Sequence, residues 1–207
     1  MLPQHVMQAD ELLLIGPMAQ KILPEVITAK TAVQVAVDGG IASAPGAAVW
    51  FGDADSGTRP AHIPSFLKSS QDMTDLAFTL DRLQDGAWRR LYLYGFSGGR
   101  QDHALANIGE IDAAMRARAP FEQAVFYDAA GRVMRRHFTA GAQSFRCHGT
   151  FSVFALSPAV VSISGACDYP VHRVTLPVLS GRGVSNIGSG DVRIECDVPV
   201  IVVFPQE

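Results

Sequence analysis

Acidic residues and glycines follow the apolar segments of the N-terminal part of the chain, in patterns that suit metal and phosphate chemistry. Asp-Gly-Gly occupies 38–40, Gly-Asp-Ala-Asp-Ser occupies 52–56, Asp-Met-Thr-Asp occupies 72–75 and Gly-Gly-Arg-Gln-Asp-His occupies 98–103. If these segments meet at one edge of a sheet, their carboxylates would repel one another strongly unless a cation neutralised them. Oxygen ligands of this kind suit Mg²⁺, which binds one or two carboxylates together with substrate phosphates. The six carboxylates are Asp38, Asp53, Asp55, Asp72, Asp75 and Asp102.

The segment at 98–103 adds features that favour an anion. Gly98 and Gly99 leave backbone N–H groups accessible beside a predicted helix N-terminus, which attracts phosphate. Arg100 offers a planar fork of donors for phosphate oxygens. No GxxxxGK[ST] segment occurs, so a Walker A loop is excluded. The residues therefore predict an Mg²⁺-dependent nucleotide or phosphoryl site, although each motif alone also fits a simple turn or helix cap.

The pattern of apolar segments predicts an open α/β sheet for the N-terminal part. Near-continuous apolar runs are typical of parallel strands that are buried on both faces. Helical periods lie between them at 74–84 and 103–118. Because ligands bind at the carboxyl ends of such strands, the acidic loops should share one edge. The predicted strands are 12–15, 32–37, 49–51, 91–94 and 124–127.

After about Gly131 the chain changes to short Val, Ile, Ser and Thr segments separated by glycine and proline. This pattern predicts a smaller antiparallel β-sandwich domain. We therefore expect an α/β domain at 1–130 and a β-sandwich domain at 131–207. The predicted strands of the second domain are 151–156, 160–164, 171–176, 192–196 and 200–204.

Composition excludes several classes of protein. The net charge is −3 and the basic residues form no dense run, which disfavours a nucleic-acid partner. The longest apolar stretch, 198–204, is far shorter than the roughly 20 residues that span a bilayer. The first residues lack the pattern of a secretory signal, and the three cysteines are scattered. We expect a cytoplasmic globular protein with no membrane partner.

Taken together and in order, these motifs resemble those of the thiamine pyrophosphokinases. The family's order is Asp-Gly-Gly, Gly-Asp-x-Asp-Ser, Asp-x-Thr-Asp, Gly-Gly-Arg-x-Asp-His and a late Ser-Asn, which is present here as Ser185-Asn186. Asn107, in the continuation of the fourth motif, also matches, so the resemblance covers nearly the whole chain. The resemblance implies transfer of the β,γ-pyrophosphoryl group of ATP to the hydroxyl of thiamine, giving thiamine diphosphate and AMP.

The resemblance also implies a role for each matching residue. The first domain would bind Mg²⁺ and ATP, while the second would bind thiamine through Ser185 and Asn186 and form a homodimer. Arg100 would join the carboxylates in catalysis. The implied metal ligands are Asp53, Asp55, Asp72, Asp75 and Asp102. The implied nucleotide-binding residues are Asp38, Gly39, Gly40, Thr74, Gly98, Gly99, Arg100, His103 and Asn107.

The chain departs from the family's pattern at several positions. Gln71 replaces a common Lys before Asp-x-Thr-Asp, and Gly57 replaces an aliphatic residue. Trp50 and Trp88 both lie in the first domain, so the second domain has no indole to stack on thiamine. The sequence leaves open whether Tyr169 takes that role. These departures affect substrate affinity more than the type of reaction.

Two other functions are compatible with the residues. A binding module for thiamine phosphates or nucleotides needs no turnover, although it also has no need of the full carboxylate set. Asp53-Ala54-Asp55 superficially matches the aspartyl-phosphate motif of haloacid-dehalogenase-like phosphatases. That motif normally follows the first strand, whereas this one follows the third apolar segment.

Overall fold

The near-continuous apolar runs of the N-terminal part form a parallel sheet. The structure, a computed structural model, describes residues 1–55, 59–118 and 120–205, so Ser56 and Gly57 lie outside the described residues. The chain divides into two compact units, 1–133 and 134–207. In the first unit the strands lie in the order β6-β5-β1-β2-β3-β4, and every neighbouring pair is parallel. They are β1 (Glu11–Ile15), β2 (Val33–Val37), β3 (Val49–Gly52), β4 (Ser65–Leu67), β5 (Arg90–Tyr94) and β6 (Gln123–Tyr127).

Parallel neighbours need crossover connections, and in the described residues all of these except the one from β3 to β4 contain a helix. The two long helices lie where the sequence predicts helical periods, each with slightly different ends. A 3-10 helix, Asp38–Ser43, follows β2 directly. The α-helices are α1 (Gln4–Met7), α2 (Glu25–Thr28), α3 (Asp75–Leu83) and α4 (Gln101–Ala117).

Alternating side chains of the strands pack into two separate cores, one on each face of the sheet. Leu12 and Leu14 of β1 belong to the core that α3 and α4 cover. Leu13 and Ile15 belong to the opposite core, together with Ile27 of α2. Burial of both faces explains why the strands are apolar throughout, as is typical of parallel sheets.

The second unit consists of antiparallel strands, as expected from the short β-rich segments. Their order is β10-β9-β11-β8-β12-β7. Residues 141–151 of β8 pair with β11, and residues 152–154 pair with β12. All six strands contribute side chains to one core, consistent with a sandwich. They are β7 (Val133–Phe138), β8 (Gly141–Phe154), β9 (Ala159–Cys167), β10 (Val171–Leu176), β11 (Asn186–Cys196) and β12 (Val200–Val203).

The second unit contains a short 3-10 helix, Gly181–Gly183, before β11. Among the helices of the described residues, none has the length and apolar character needed to cross a membrane.

His137 in β7 makes the stability of this protein depend on pH. The side chain is 1% exposed, and burial, aided by the charge of Arg135, lowers its pKa well below 6.5. Below about pH 6.5 the unfolded chain therefore binds a proton that the folded chain does not. Because of this group, the free energy of unfolding decreases by about 1.4 kcal/mol for each pH unit below about 6.5. We expect His137→Phe to remove this part of the pH dependence, measured by urea unfolding at about pH 7.5 and about pH 5.5.

The exposed His172 provides the matched control. His172→Phe should retain the pH dependence of the unmodified protein. Equal losses of stability in His137→Phe and the unmodified chain between the two pH values would contradict the prediction.

Candidate active site

The carboxyl ends of β1 to β5 surround a cavity of about 680 Å³ in the first unit. Strand β1 lies between β2 and β5, so the chain connections run in opposite directions from this point of the sheet. Such a switch point is where open α/β sheets bind ligands. The cavity brings together most of the residues that the sequence motifs single out. Those that line it are Asp38, Asp53, Asp55, Asp72, Thr74, Asp75, Gly98, Arg100, His103 and Asn107.

Four predicted site residues of the first unit contribute no lining to this cavity: Gly39, Gly40, Gly99 and Asp102. Gly40 has a packing role, because a Cβ atom there would lie 2.0 Å from the carbonyl oxygen of Ile15. A glycine at this position therefore lets the 3-10 helix lie directly against the end of β1.

Asp38 is held at the end of β2 in an unusual backbone conformation. Its φ is 49°, in the left-handed region that residues other than glycine seldom adopt. The indole Nε1–H of Trp50 donates to its carbonyl oxygen at 2.9 Å, and the residue is buried. The backbone of Asp38 is therefore fixed from the neighbouring strand β3, and the residue lines the cavity.

Asp53 and Asp55 follow β3 in a tight local turn. The Asp55 backbone N–H donates to Asp53 Oδ1 at 3.1 Å, and Ala54 between them has a φ of 66°. This backbone hydrogen bond is the largest cause of the lowered pKa of Asp53, so the carboxylate stays ionised at neutral pH.

The carboxylates of Asp38, Asp53 and Asp55 form a candidate metal site. One oxygen from each lies within 4.8 Å of the others. Opposite ligands of Mg²⁺ lie about 4.2 Å apart, because each Mg–O distance is about 2.1 Å. A small movement of the side chains would bring these oxygens onto one ion, and the all-carboxylate donor set fits Mg²⁺. Asp38 is thus grouped with the metal-site carboxylates, whereas the sequence resemblance implies a nucleotide contact for it.

Lys68 is a cation in this cavity that the sequence reasoning missed. Its side chain is 5% exposed, and its Nζ lies 3.5 Å from Asp53 Oδ2 and 3.2 Å from Asp75 Oδ1. Nζ also donates to the carbonyl oxygen of Met73 at 3.1 Å. The cavity thus carries a built-in positive charge close to Gln71, whose amide reaches Asp53 Oδ2 at 3.4 Å.

The motif at 72–75 forms the beginning of helix α3, and the structure shows which of its residues caps the helix. Thr74 is the N-cap residue, and its hydroxyl accepts a hydrogen bond from the Ala77 N–H at 3.0 Å. Asp75 occupies the first turn, where the helix dipole favours an acid. Burial raises the pKa of Asp75, and the ion pair with Lys68 opposes this shift. Asp72 lies before the cap, is exposed, and accepts from the Ser70 hydroxyl at 2.5 Å.

Arg100 and Asp102 pair with each other at the beginning of α4. The guanidinium donates to both carboxylate oxygens through Nε and Nη2, and the side chains are 74% and 59% exposed. Hydrogen bonding from Arg100 lowers the pKa of Asp102 to about 2. Asp102 is not among the three carboxylates that are grouped in the described residues, and its low pKa makes it a weak base.

The start of α4 is shaped by the two glycines that precede Arg100. Gly98 and Gly99 have φ values of 92° and 69°, which favour glycine. Asn107 ties the helix to the end of β5, since its buried amide donates to the carbonyl oxygen of Phe96 at 3.1 Å. Asn107 therefore supports the wall of the cavity as well as lining it.

The second unit has a separate cavity of about 400 Å³ that includes Ser185 and Asn186. Its wall is largely aliphatic and includes Tyr169, which is 61% exposed as a residue. The Asn186 amide is already bound to the Tyr169 backbone. Its Nδ2 donates to the Tyr169 carbonyl at 2.8 Å, and its Oδ1 accepts from the Tyr169 N–H at 3.1 Å. Asn186 thus fixes the position of Tyr169, whereas Ser185 is exposed beside it.

Comparison with known proteins gives matches among solved structures. No protein-family model and no curated protein matches the chain. Thiamine pyrophosphokinase from Bacillus subtilis superposes with a TM-score of 0.75 at 17% identity, covering 95% of this chain and 100% of that one. The enzyme from Geobacillus thermodenitrificans gives a TM-score of 0.74 at 17% identity, covering 95% and 98%.

A eukaryotic structure matches to a similar extent. Thiamin pyrophosphokinase from Candida albicans gives a TM-score of 0.71 at 17% identity, covering 93% of this chain and 88% of that one. Likeness at this level of identity establishes the fold. The chain therefore has the fold of the thiamine pyrophosphokinases, the family that its sequence motifs resemble.

Proposed function

We propose that this protein is an ATP-dependent thiamine pyrophosphokinase that forms thiamine diphosphate and AMP. The observation that carries the proposal is the cavity at the carboxyl ends of β1 to β5, where three carboxylates form a site suited to Mg²⁺. The fold, shared with thiamine pyrophosphokinases from bacteria and a yeast, supports the same reaction.

The carboxylates of Asp38, Asp53 and Asp55 would hold the Mg²⁺ ion, which when bound supplies charge neutralisation for the phosphates and polarises the attacked phosphorus. Arg100 would exchange its contact with Asp102 for the phosphate oxygens of ATP, because its fork fits either anion. The N–H groups at the start of α4 would bind phosphate in the same region. Together these groups position the triphosphate, which provides most of the catalysis in phosphoryl-type transfer.

In the chemical step, the thiamine hydroxyl oxygen bonds to the β-phosphorus while the bond from that phosphorus to the α,β-bridging oxygen breaks. AMP leaves with the bridging oxygen, and the hydroxyl proton passes to a carboxylate. We assign that carboxylate to Asp72, which lines the cavity and is exposed. Asp102 is less suited to this role, because both of its oxygens accept hydrogen bonds from Arg100.

We further propose that thiamine binds in the cavity of the second unit against Tyr169. The exposed phenol ring offers a surface for a flat, cationic heterocycle. Asn186 would act indirectly by holding the Tyr169 backbone. A homodimer and a cytoplasmic location stay predictions from the sequence.

The direct test is incubation of the purified protein with ATP, Mg²⁺ and thiamine, followed by chromatography. We expect AMP and thiamine diphosphate to form in equal amounts. Release of ADP or inorganic phosphate without a thiamine ester would indicate a kinase or a phosphatase instead. Binding of thiamine or nucleotide with no turnover would indicate a binding module.

The role of the carboxylate site is tested by Asp53→Asn, which removes a charged ligand while keeping the shape of the side chain. We expect turnover to fall by at least about 100-fold, because the charge that holds the metal on the triphosphate is lost. Asp81→Asn, an exposed position on α3, is the matched control and should retain full turnover. Near-normal turnover of Asp53→Asn, with its melting temperature unchanged, would refute the site assignment.

The thiamine subsite is tested by replacing Tyr169. Loss of a cation–π contact of about 1 kcal/mol in Tyr169→Ala should raise the KM for thiamine by about fivefold and leave the KM for ATP unchanged. Tyr169→Phe retains the ring and should behave as the unmodified protein. If the KM for thiamine is the same in all three proteins, thiamine does not bind against this ring.

A further inference from the structure

Lys68 owes its position to the pairing of the edge strand. The register of β3 and β4 sets Gly52 beside Leu67, so the residues that follow each strand, Asp53 and Lys68, are neighbours. The backbone N–H of Lys68 extends the ladder by donating to the Gly52 carbonyl at 2.8 Å. A lysine at this point must therefore lie at the rim of the acidic cavity.

The ammonium group of Lys68 contacts three protein oxygens. It has three N–H donors, and three protein oxygens lie around it at 3.1 to 3.5 Å, namely Met73 O, Asp75 Oδ1 and Asp53 Oδ2. The contact with Met73 O is a hydrogen bond, and the two carboxylate contacts are ion pairs. The positive charge of Lys68 is therefore already compensated by protein groups, which disfavours a role as a free phosphate ligand.

Burial of the ammonium group requires its partners, since an uncompensated charge at a site 5% exposed is costly. Those partners belong to different elements, because Asp53 follows β3 and Asp75 begins α3. Lys68 thereby connects the two elements and offsets the repulsion between their carboxylates. It also restricts the orientation of Asp53, one of the three carboxylates in the candidate metal site.

We infer that Lys68 is a positioning residue that orients Asp53 and Asp75 through its two ion pairs, so that the carboxylate site is arranged before a divalent cation binds. This inference rests on the proposed function only in taking the site to be a divalent-cation site. Groups that hold a ligating carboxylate in this way typically contribute 10- to 100-fold to metal affinity or activity.

The test measures metal binding directly, without ATP or thiamine. Mn²⁺, which takes the same oxygen ligands as Mg²⁺, is titrated into the metal-free protein and its free form is followed by electron paramagnetic resonance. Lys68→Met, which removes the charge and keeps the chain length, should raise the dissociation constant for Mn²⁺ by about tenfold or more. Lys21→Met, the same change at an exposed lysine, should leave it unaltered.

Thermal melting of each variant shows whether it is folded at the temperature of the titration. If Lys68→Met does not fold, Lys68→Gln, which retains hydrogen-bond donors but carries no charge, gives the same measurement and the same expected weakening. In the pyrophosphokinase assay, the Mg²⁺ concentration that gives the half-maximal rate should rise in the folded variant. A merely structural role would lower the maximal rate and leave that Mg²⁺ concentration unchanged.

An unchanged dissociation constant for Mn²⁺ in a folded Lys68 variant overturns the inference. Tighter binding also overturns it, because Lys68 would then compete with the metal ion. These outcomes leave the proposed reaction standing, since the unmodified protein would still form thiamine diphosphate. Absence of that product alongside the expected change in Mn²⁺ affinity would overturn the reaction and retain the role of Lys68.

Discussion

Repulsion between carboxylates is the constraint on which the cavity of the first unit depends. Oxygens of three aspartates lie within 4.8 Å of one another, and like charges at this distance raise the free energy of the site unless something offsets them. The chain offsets part of that repulsion with its own groups: the Asp55 N–H at Asp53 and the buried Lys68 between Asp53 and Asp75. What remains is an excess of negative charge at the open end of the sheet, which suits a divalent cation that arrives with a phosphate ligand.

Much of the first unit follows from its sequence because strands buried on both faces must be apolar throughout. The runs that form β1, β2, β3, β5 and β6 are visible for that reason, and the acidic loops follow from the parallel order. Strand β4 is not visible, because Ser65–Leu67 is three residues long and lies at the edge of the sheet. Without β4, the position of Lys68 in the cavity cannot be predicted, because it depends on the register between β3 and β4.

In the second unit, the strand type and the bounds of β10 are predictable, whereas the extents of β8 and β11 are not. The 14 residues of β8 contain polar side chains and glycines that break the apolar alternation, so only its end resembles a strand. The roles of site residues are also harder to predict than their identity. Asn186 is recognisable in the Ser-Asn motif, but its binding to the Tyr169 backbone requires the strand β11 and the preceding turn to be in place. Arg100 and Asp102 are recognisable too, yet the hydrogen bonds between them are seen only in the folded chain.

The edge position of β4 has a consequence for dynamics. An edge strand of three residues, held on one side by β3, is among the first parts of a sheet to open in local unfolding. Because β4 carries Lys68 into the cavity, opening of this strand also removes the internal counter-charge of Asp53 and Asp75. Any cation or phosphate that binds the closed form preferentially must then suppress that opening by mass action. Hydrogen exchange at the Lys68 amide, which donates to the Gly52 carbonyl, should therefore slow as the cavity fills.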